Sequence, residues 1–130
     1  MQVKDVMSAQ IVTVSPSDTA QSAARLMLET DVGALPVEVP GVGAIVGIIT
    51  DRDIVVSVLA RGLSTSTTIA EFMTVSPEVC DERDDTDTVA ERMRERGVRR
   101  LVVVNADHRV VGIVSLVDLS AGGAGKEKWQ

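Results

Sequence analysis

Apolar positions along the chain fall into two kinds of run. Short runs rich in Val and Ile, "IVTV" (11–14), "ALPVEV" (34–39), "AIVGIIT" (44–50), "EVC" (78–80), "RLVVVN" (100–105) and "RVVGIVS" (109–115), have the length and β-branched content of strands. Between the first and second members of each trio the spacing changes. Ala20, Ala23, Ala24 and Met27, and later Val89, Ala90 and Met93, recur every three or four residues and predict one buried helical stripe each. Cap-rich patches precede both helices, "SPSDT" (15–19) and "DDTD" (84–87), and Gly97 ends the second helix as a C-cap residue, with Asp31 in the same place in the first. Two further helices follow the last strand of each trio, "DRDIVVSVLARG" (51–62) and "LVDLSAGG" (116–123).

The predicted order, β-α-β-β-α, is therefore written twice. Met7 and Met73 are 66 residues apart, and at that offset Asp18 meets Asp84, Met27 meets Met93, Val32 meets Val98 and Leu35 meets Leu101. The loop between the last two strands is then one residue shorter in the second copy, and at an offset of 65 Gly47, Ile48 and Asp53 meet Gly112, Ile113 and Asp118. The domain organisation expected is a first motif over 1–60, a polar connector over 61–68, a second motif over 69–121 and a loose tail over 122–130 that carries Trp129. The fold class expected is mixed α/β (α+β). One copy of about 60 residues buries too little apolar surface to be comfortably stable alone. Two copies packed sheet to sheet about a pseudo-twofold axis would share a core.

Composition narrows the function classes. The net charge of −6 opposes general nucleic-acid binding, and Phe72 and Trp129 are the sole aromatics, too few for a base-stacking platform. Apolar runs are too short to span a bilayer, and the charged "MQVKDVMSAQ" start is not a signal peptide, so a soluble cytoplasmic protein is expected. The one cysteine, Cys80, excludes an intrachain disulfide and reads as a small buried hydrophobe. Met7, Met27, Met73 and Met93 read as core, His108 as exposed, and the acidic string 81–85 as a solvated loop with a helix cap rather than a metal loop.

The candidate chemistry lies in the phrase written twice, "GIITDRDI" (47–54) and "GIVSLVDL" (112–119). Thr50 and Ser115 stand at a strand-to-helix junction, with Asp53 and Asp118 three residues on. A capping box explains such a pair with no ligand. The functional alternative is a polar ligand at the helix start, with the carboxylate taking two ribose hydroxyls. Duplication copies caps and sites alike, so repetition does not choose between them.

Taken together, "DVM" (5–7), "GALPV" (33–37), "GIITDRDI", "EFM" (71–73), "GVRRLVVV" (97–104) and "GIVSLVDL" resemble the cystathionine-β-synthase-type (CBS) domain pair, or Bateman module, from residue 3 to about 120. The second copy is also similar to repeats in the γ subunit of AMP-activated protein kinase. The resemblance implies adenosine-containing ligands (AMP, ADP, ATP or S-adenosylmethionine) in clefts between the two motifs, the aspartates on ribose and the hydroxyls near phosphate. It implies that Thr50, Arg52 and Asp53 face Val98, Arg99 and Arg100, and that Ser115 and Asp118 face Val32, Gly33 and Ala34. Val12 and Thr13, and Glu78 and Val79, would flank the base. Arg52, Arg99 and Arg100 would make the first cleft the one for phosphorylated adenosine, although Arg99 and Arg100 alternate on a strand, so at most one points into a cleft. Val102 replaces the proline found at Pro36, a departure expected to alter strand geometry. No metal or required cofactor is implied.

The leading function is thus a stand-alone regulatory module, acting through an effector protein or through a homodimer held by 53–60. The alternatives are the same fold as a dimerisation platform without a ligand, and an enzyme. No P-loop, metal spacing or nucleophile motif supports an enzyme.

Overall fold

The computed structural model describes residues 1–9, 12–75 and 78–120. Its elements are β1 (Ser8–Ala9), α1 (Ala20–Thr30), β2 (Ala34–Val39), β3 (Ala44–Thr50), α2 (Asp51–Ile54), β4 (Thr74–Val75), β5 (Val79–Asp81), α3 (Thr86–Arg96), β6 (Arg100–Val104), β7 (Val110–Ser115) and α4 (Leu116–Ser120). They form two compact units, the first from the described part of 12–77, the second from the described parts of 1–11 and 78–130. The expected tail, 122–130, lies outside the described residues.

In the first unit β2 and β3 form an antiparallel hairpin from Ala34↔Thr50 to Val39↔Ala44, with a one-residue register shift between Val37 and Glu38, and β4 pairs with β3. The Gly-rich connection turns through Gly41 and Gly43, both at positive φ (80° and 74°), where glycine carries no steric cost. Val14, Ala23, Met27, Leu35, Val37, Ile49, Ile54 and Ile69 make its core. In the second unit the sheet order is β1-β7-β6-β5, over a core that includes Val3, Cys80, Met93, Leu101, Val103 and Val114. The expected helix limits hold. Thr19 and Asp85 cap α1 and α3 with side-chain oxygens, and Asp31 (φ 56°) and Gly97 (φ 68°) end them in the left-handed conformation.

The structure corrects the first strand of each repeat and one position of the first helix. The strand expected over 11–14 is reduced, among described residues, to one parallel bridge, Val14↔Val37. Val14 N–H donates to Pro36 O (3.0 Å) and Glu38 N–H to Val14 O (2.8 Å). The next rung would need an N–H from residue 36, and proline has none. In the second unit Val102 supplies that N–H, and β5 pairs with β6 over three rungs, Val79↔Val102 to Asp81↔Val104. That strand also sits one residue later than expected. The helix position is Ala24, which is exposed, whereas its counterpart Ala90 is buried. Helix α1 turns its Leu26 flank towards the core instead, and the counterpart of Leu26 is Arg92, which cannot be buried as readily.

The start of each repeat belongs structurally to the other repeat's unit. A 3-10 turn at Val3–Asp5 is fixed by Val3 N–H to Asp84 O (2.9 Å) and Lys4 N–H to Glu82 O (2.8 Å), and β1 then pairs with β7. The matching turn Ile69–Glu71 is fixed by Ile69 N–H to Asp18 O (2.8 Å) and Ala70 N–H to Pro16 O (2.9 Å), and β4 pairs with β3. The crossing strand passes directly over the repeated glycine. A Cβ on Gly112 would lie 2.6 Å from Ser8 O and 2.8 Å from Met7 Sδ, and one on Gly47 would lie 2.6 Å from Thr74 O. No side chain fits there without moving main chain.

Gly112→Ala is therefore expected to destabilise the protein by about 1–3 kcal/mol, read as a lower denaturant midpoint in urea unfolding. An unchanged midpoint would contradict the close approach.

Candidate ligand-binding site

The repeated phrase sits at the junction of the last long strand and the closing helix of each repeat. Asp53 N–H donates to Thr50 Oγ1 (3.1 Å) and Thr50 N–H donates to Asp53 Oδ2 (2.9 Å). Asp118 N–H donates to Ser115 Oγ (3.1 Å) and Ser115 N–H to Asp118 Oδ2 (3.2 Å). Both pairs are capping boxes, so the cap is a real part of each aspartate's role. It uses one carboxylate oxygen. Oδ1 of Asp53 and of Asp118 has no hydrogen bond among the described residues, and both side chains are half-buried. Beyond Asp53 the closing helix of the first repeat widens into a π-helix, Val55–Leu59.

Each unit gathers its own strand segment beside its own aspartate. Ala34 lies opposite Thr50 in the hairpin, and Asp51 N–H donates to Gly33 O (2.9 Å). Arg100 lies opposite Ser115, and Leu116 N–H donates to Arg99 O (2.8 Å). The hairpin registers thus bring 32–34 to 50–53 and 98–100 to 115–118. Val32 and Val98 are half-buried against the cores of their units. A Cβ on Gly33 would sit 3.2 Å from Asp51 Oδ2. Arg52, Arg99 and Arg100 are all exposed, without an acidic partner among the described residues.

The segments expected to flank a base differ between the units. Val12 and Thr13 are half-buried, and Val12 packs with Leu26 against the first core. In the second unit α3 reaches the equivalent segment with two arginines. Arg92 Nη2 donates to Val79 O (2.9 Å), and Arg96 pairs with Glu78. Arg92 Nε is buried with no acceptor, a condition that costs about 1–3 kcal/mol for a polar group. The sequence reading passed over Arg92, and the available signal was its place opposite Leu26 in the repeat. A shallow depression of about 410 Å³ runs along α3, lined by Asp87, Thr88, Glu91, Arg92 and Glu95, and Arg92 is where it meets β5.

Two further aspartates act as caps of their loops. Asp84 Oδ2 accepts from Asp81 N–H (2.9 Å), as Asp18 Oδ2 does from Ser15 N–H (2.8 Å). The Arg83 guanidinium hydrogen-bonded to Asp81 holds that carboxyl below its ordinary value. His108 is exposed in its turn, and Cys80 is buried, its thiol pushed up to about 12 by desolvation. Among the described residues no three His, Cys, Asp or Glu side chains are grouped to hold a metal ion, and no helix is long and apolar enough to cross a membrane.

Both repeats match the family model of the CBS domain, over residues 3–60 and 69–122, and the chain belongs to that family. Among its relatives, the CBS domain-containing protein YhcV of Bacillus subtilis is 37% identical over 125 residues, covering 96% of this chain and 87% of YhcV. The CBS domain pair of protein MJ0100, solved in complex with 5′-methylthioadenosine and S-adenosyl-L-methionine, superposes with a TM-score of 0.76 at 32% identity, over 97% of this chain and 98% of that one. Hypoxic Response Protein I, solved with two coordinated zinc ions, gives a TM-score of 0.72 at 34% identity, over 93% and 98% of the two chains.

Proposed function

We propose that this chain is a regulatory module that binds an adenosine-containing small molecule, of the class of AMP, ADP, ATP or S-adenosylmethionine. The observation that carries the reading is the spare oxygen on each capping aspartate. Oδ2 of Asp53 and Asp118 is fixed by its own helix start, so Oδ1 is held rigidly at the strand end and can accept the vicinal hydroxyls of a ribose. Thr50 and Ser115 stand beside it, and the exposed guanidiniums of Arg52, Arg99 and Arg100 are assigned to phosphate or carboxylate groups. Val12, Thr13, Val32, Gly33 and Ala34 in the first unit, and Val79 and Val98 in the second, offer aliphatic and main-chain surface to the base. The relative MJ0100, about a third identical, supports the ligand class through its two adenosine compounds.

Binding and response, rather than catalysis, is the activity proposed, in a reducing cytoplasm that suits the unpaired thiol of Cys80. The response passes to an effector protein or through self-association. Val55, Val56 and Leu59 are 54%, 48% and 58% exposed on the closing helix of the first repeat, which favours a homodimer. This face also supports the second reading, a dimerisation platform that needs no ligand.

A thermal-shift panel of AMP, ADP, ATP and S-adenosylmethionine is expected to raise Tm with at least one compound. Asp53→Ala or Asp118→Ala should weaken that compound about ten- to a hundredfold, the value of a lost charged hydrogen bond of about 1.5–3 kcal/mol. Binding that survives both substitutions, or no shift with any compound, would count against the reading. Light scattering should give a dimer mass, and Leu59→Glu should give a monomer. A wild-type monomer at high concentration would remove the homodimer.

A further inference from the structure

We infer that Met7 and Met73 are oxidation sites built into the fold, and that their sulfoxides loosen the head of each repeat from the sheet it completes. The two residues hold the same place in the repeat, 66 apart, immediately before β1 and β4. Each lays its thioether against the glycine that the short strand pairs with. A Cβ on Gly112 would lie 2.8 Å from Met7 Sδ and 3.3 Å from Met7 Cγ, and one on Gly47 would lie 3.1 Å from Met73 Sδ. The sulfur takes up space that a side chain on either glycine would need, and unbranched, polarisable methionine suits such an irregular gap. Burial separates this pair from the other methionines. Met27 and Met93 are 7% and 0% exposed, and Met1 is 65% exposed. Met7 and Met73 are half-buried and pack against the cores of their units. They are thus open to a small oxidant and also in contact with a part of the fold that oxidation disturbs. The one thiol does not compete for this role. Cys80 is buried and its thiol is pushed up to about 12, so it holds almost no thiolate near neutral pH.

The oxidant class is a peroxide. Its terminal oxygen is transferred to the sulfur lone pair, the O–O bond breaks, the peroxide leaves as water and the thioether becomes a sulfoxide. The product is bulkier and polar, and no room for a further atom exists between the sulfur and the glycine. The side chain must therefore swing outwards and leave its core contacts. What remains over the glycine is a strand of two exposed residues, Ser8–Ala9 or Thr74–Val75. So short a pairing is cheap to open. The 3-10 turns are tied to the same residues, since Met7 N–H donates to Val3 O (3.0 Å) and Met73 N–H to Ile69 O (2.9 Å). Gly112 and Gly47 lie in β7 and β3, the strands that end at Ser115 and Thr50, so the disturbance starts in the repeated phrase itself. The closer contact is at Met7, and its sulfoxide should have the larger effect.

The test exposes the full chain to graded hydrogen peroxide, maps each methionine by peptide mass and measures Tm before and after. Met1 serves as the exposed reference, and Met27 and Met93 as buried ones. Met7 and Met73 are expected to oxidise after Met1 and well before Met27 and Met93, and to lower Tm by about 3 °C or more. Treatment with methionine sulfoxide reductases A and B should restore it. The double variant Met7→Leu, Met73→Leu should show no peroxide-induced fall, and Met7→Leu alone should remove more of the fall than Met73→Leu alone. Each variant is compared with its own untreated Tm, so a change in starting stability does not blur the result. Oxidation of Met7 and Met73 only together with Met27 and Met93, an unchanged Tm once both are sulfoxides, or an equal fall in the double variant would overturn the inference. The proposed ligand function is untouched by any of these outcomes.

Discussion

Everything else in this structure depends on a close approach of main chain to main chain. A short strand from the head of one repeat crosses the last long strand of the other at a glycine, Gly47 under Thr74 and Gly112 under Ser8. A Cβ on either glycine would meet the carbonyl of the short strand paired with it, so this antiparallel pairing admits no side chain there. The crossing strand brings its 3-10 turn with it, and the turn inserts Val3 or Ile69, both fully buried, into the core. Each unit is thus completed by residues from the other copy. A single repeat, cut at the boundary its sequence suggests, would lack part of its core as well as the cover over its last strand.

That scaffold fixes the geometry of the strand ends, and the chemistry is placed on it twice. The same capping box closes β3 and β7, and the same hairpin register sets residues 32–34 and 98–100 beside it. What differs between the copies is confined to a few positions that the cap does not constrain. Pro36 removes a rung that Val102 keeps. Gly33 accepts a close carboxylate where Arg99 projects a charge. Leu26 fills core where Arg92 reaches over to a strand carbonyl. Duplication preserved the frame and left these positions free to diverge.

Much of this was legible in the sequence, for identifiable reasons. The hairpin strands β2 and β3 were found to the residue, because β-branched runs bounded by Gly-rich or polar turns admit little else. The helix ends at Gly97 and Asp31 were legible because glycine is a common C-cap residue and Asp31 holds the same place in the repeat. The T/S-x-x-D pairs were legible as chemistry but ambiguous in role, since a cap and a ribose acceptor ask for the same residues. The exchange of repeat heads was hidden, because β1 and β4 are two residues long and carry no periodicity. Arg92 was hidden for a related reason. Its partner is a main-chain carbonyl, and nothing in the sequence marks an acceptor that every residue possesses.

The interleaving of the two repeats is tested most directly by native-state hydrogen exchange. The amides of Val3 and Lys4, which donate to Asp84 O and Glu82 O, should exchange with the same opening free energy as the β6–β7 amides, and those of Ile69 and Ala70 with the β2–β3 amides. Exchange of these four at the rate of an unprotected amide, while the sheets stay protected, would contradict it.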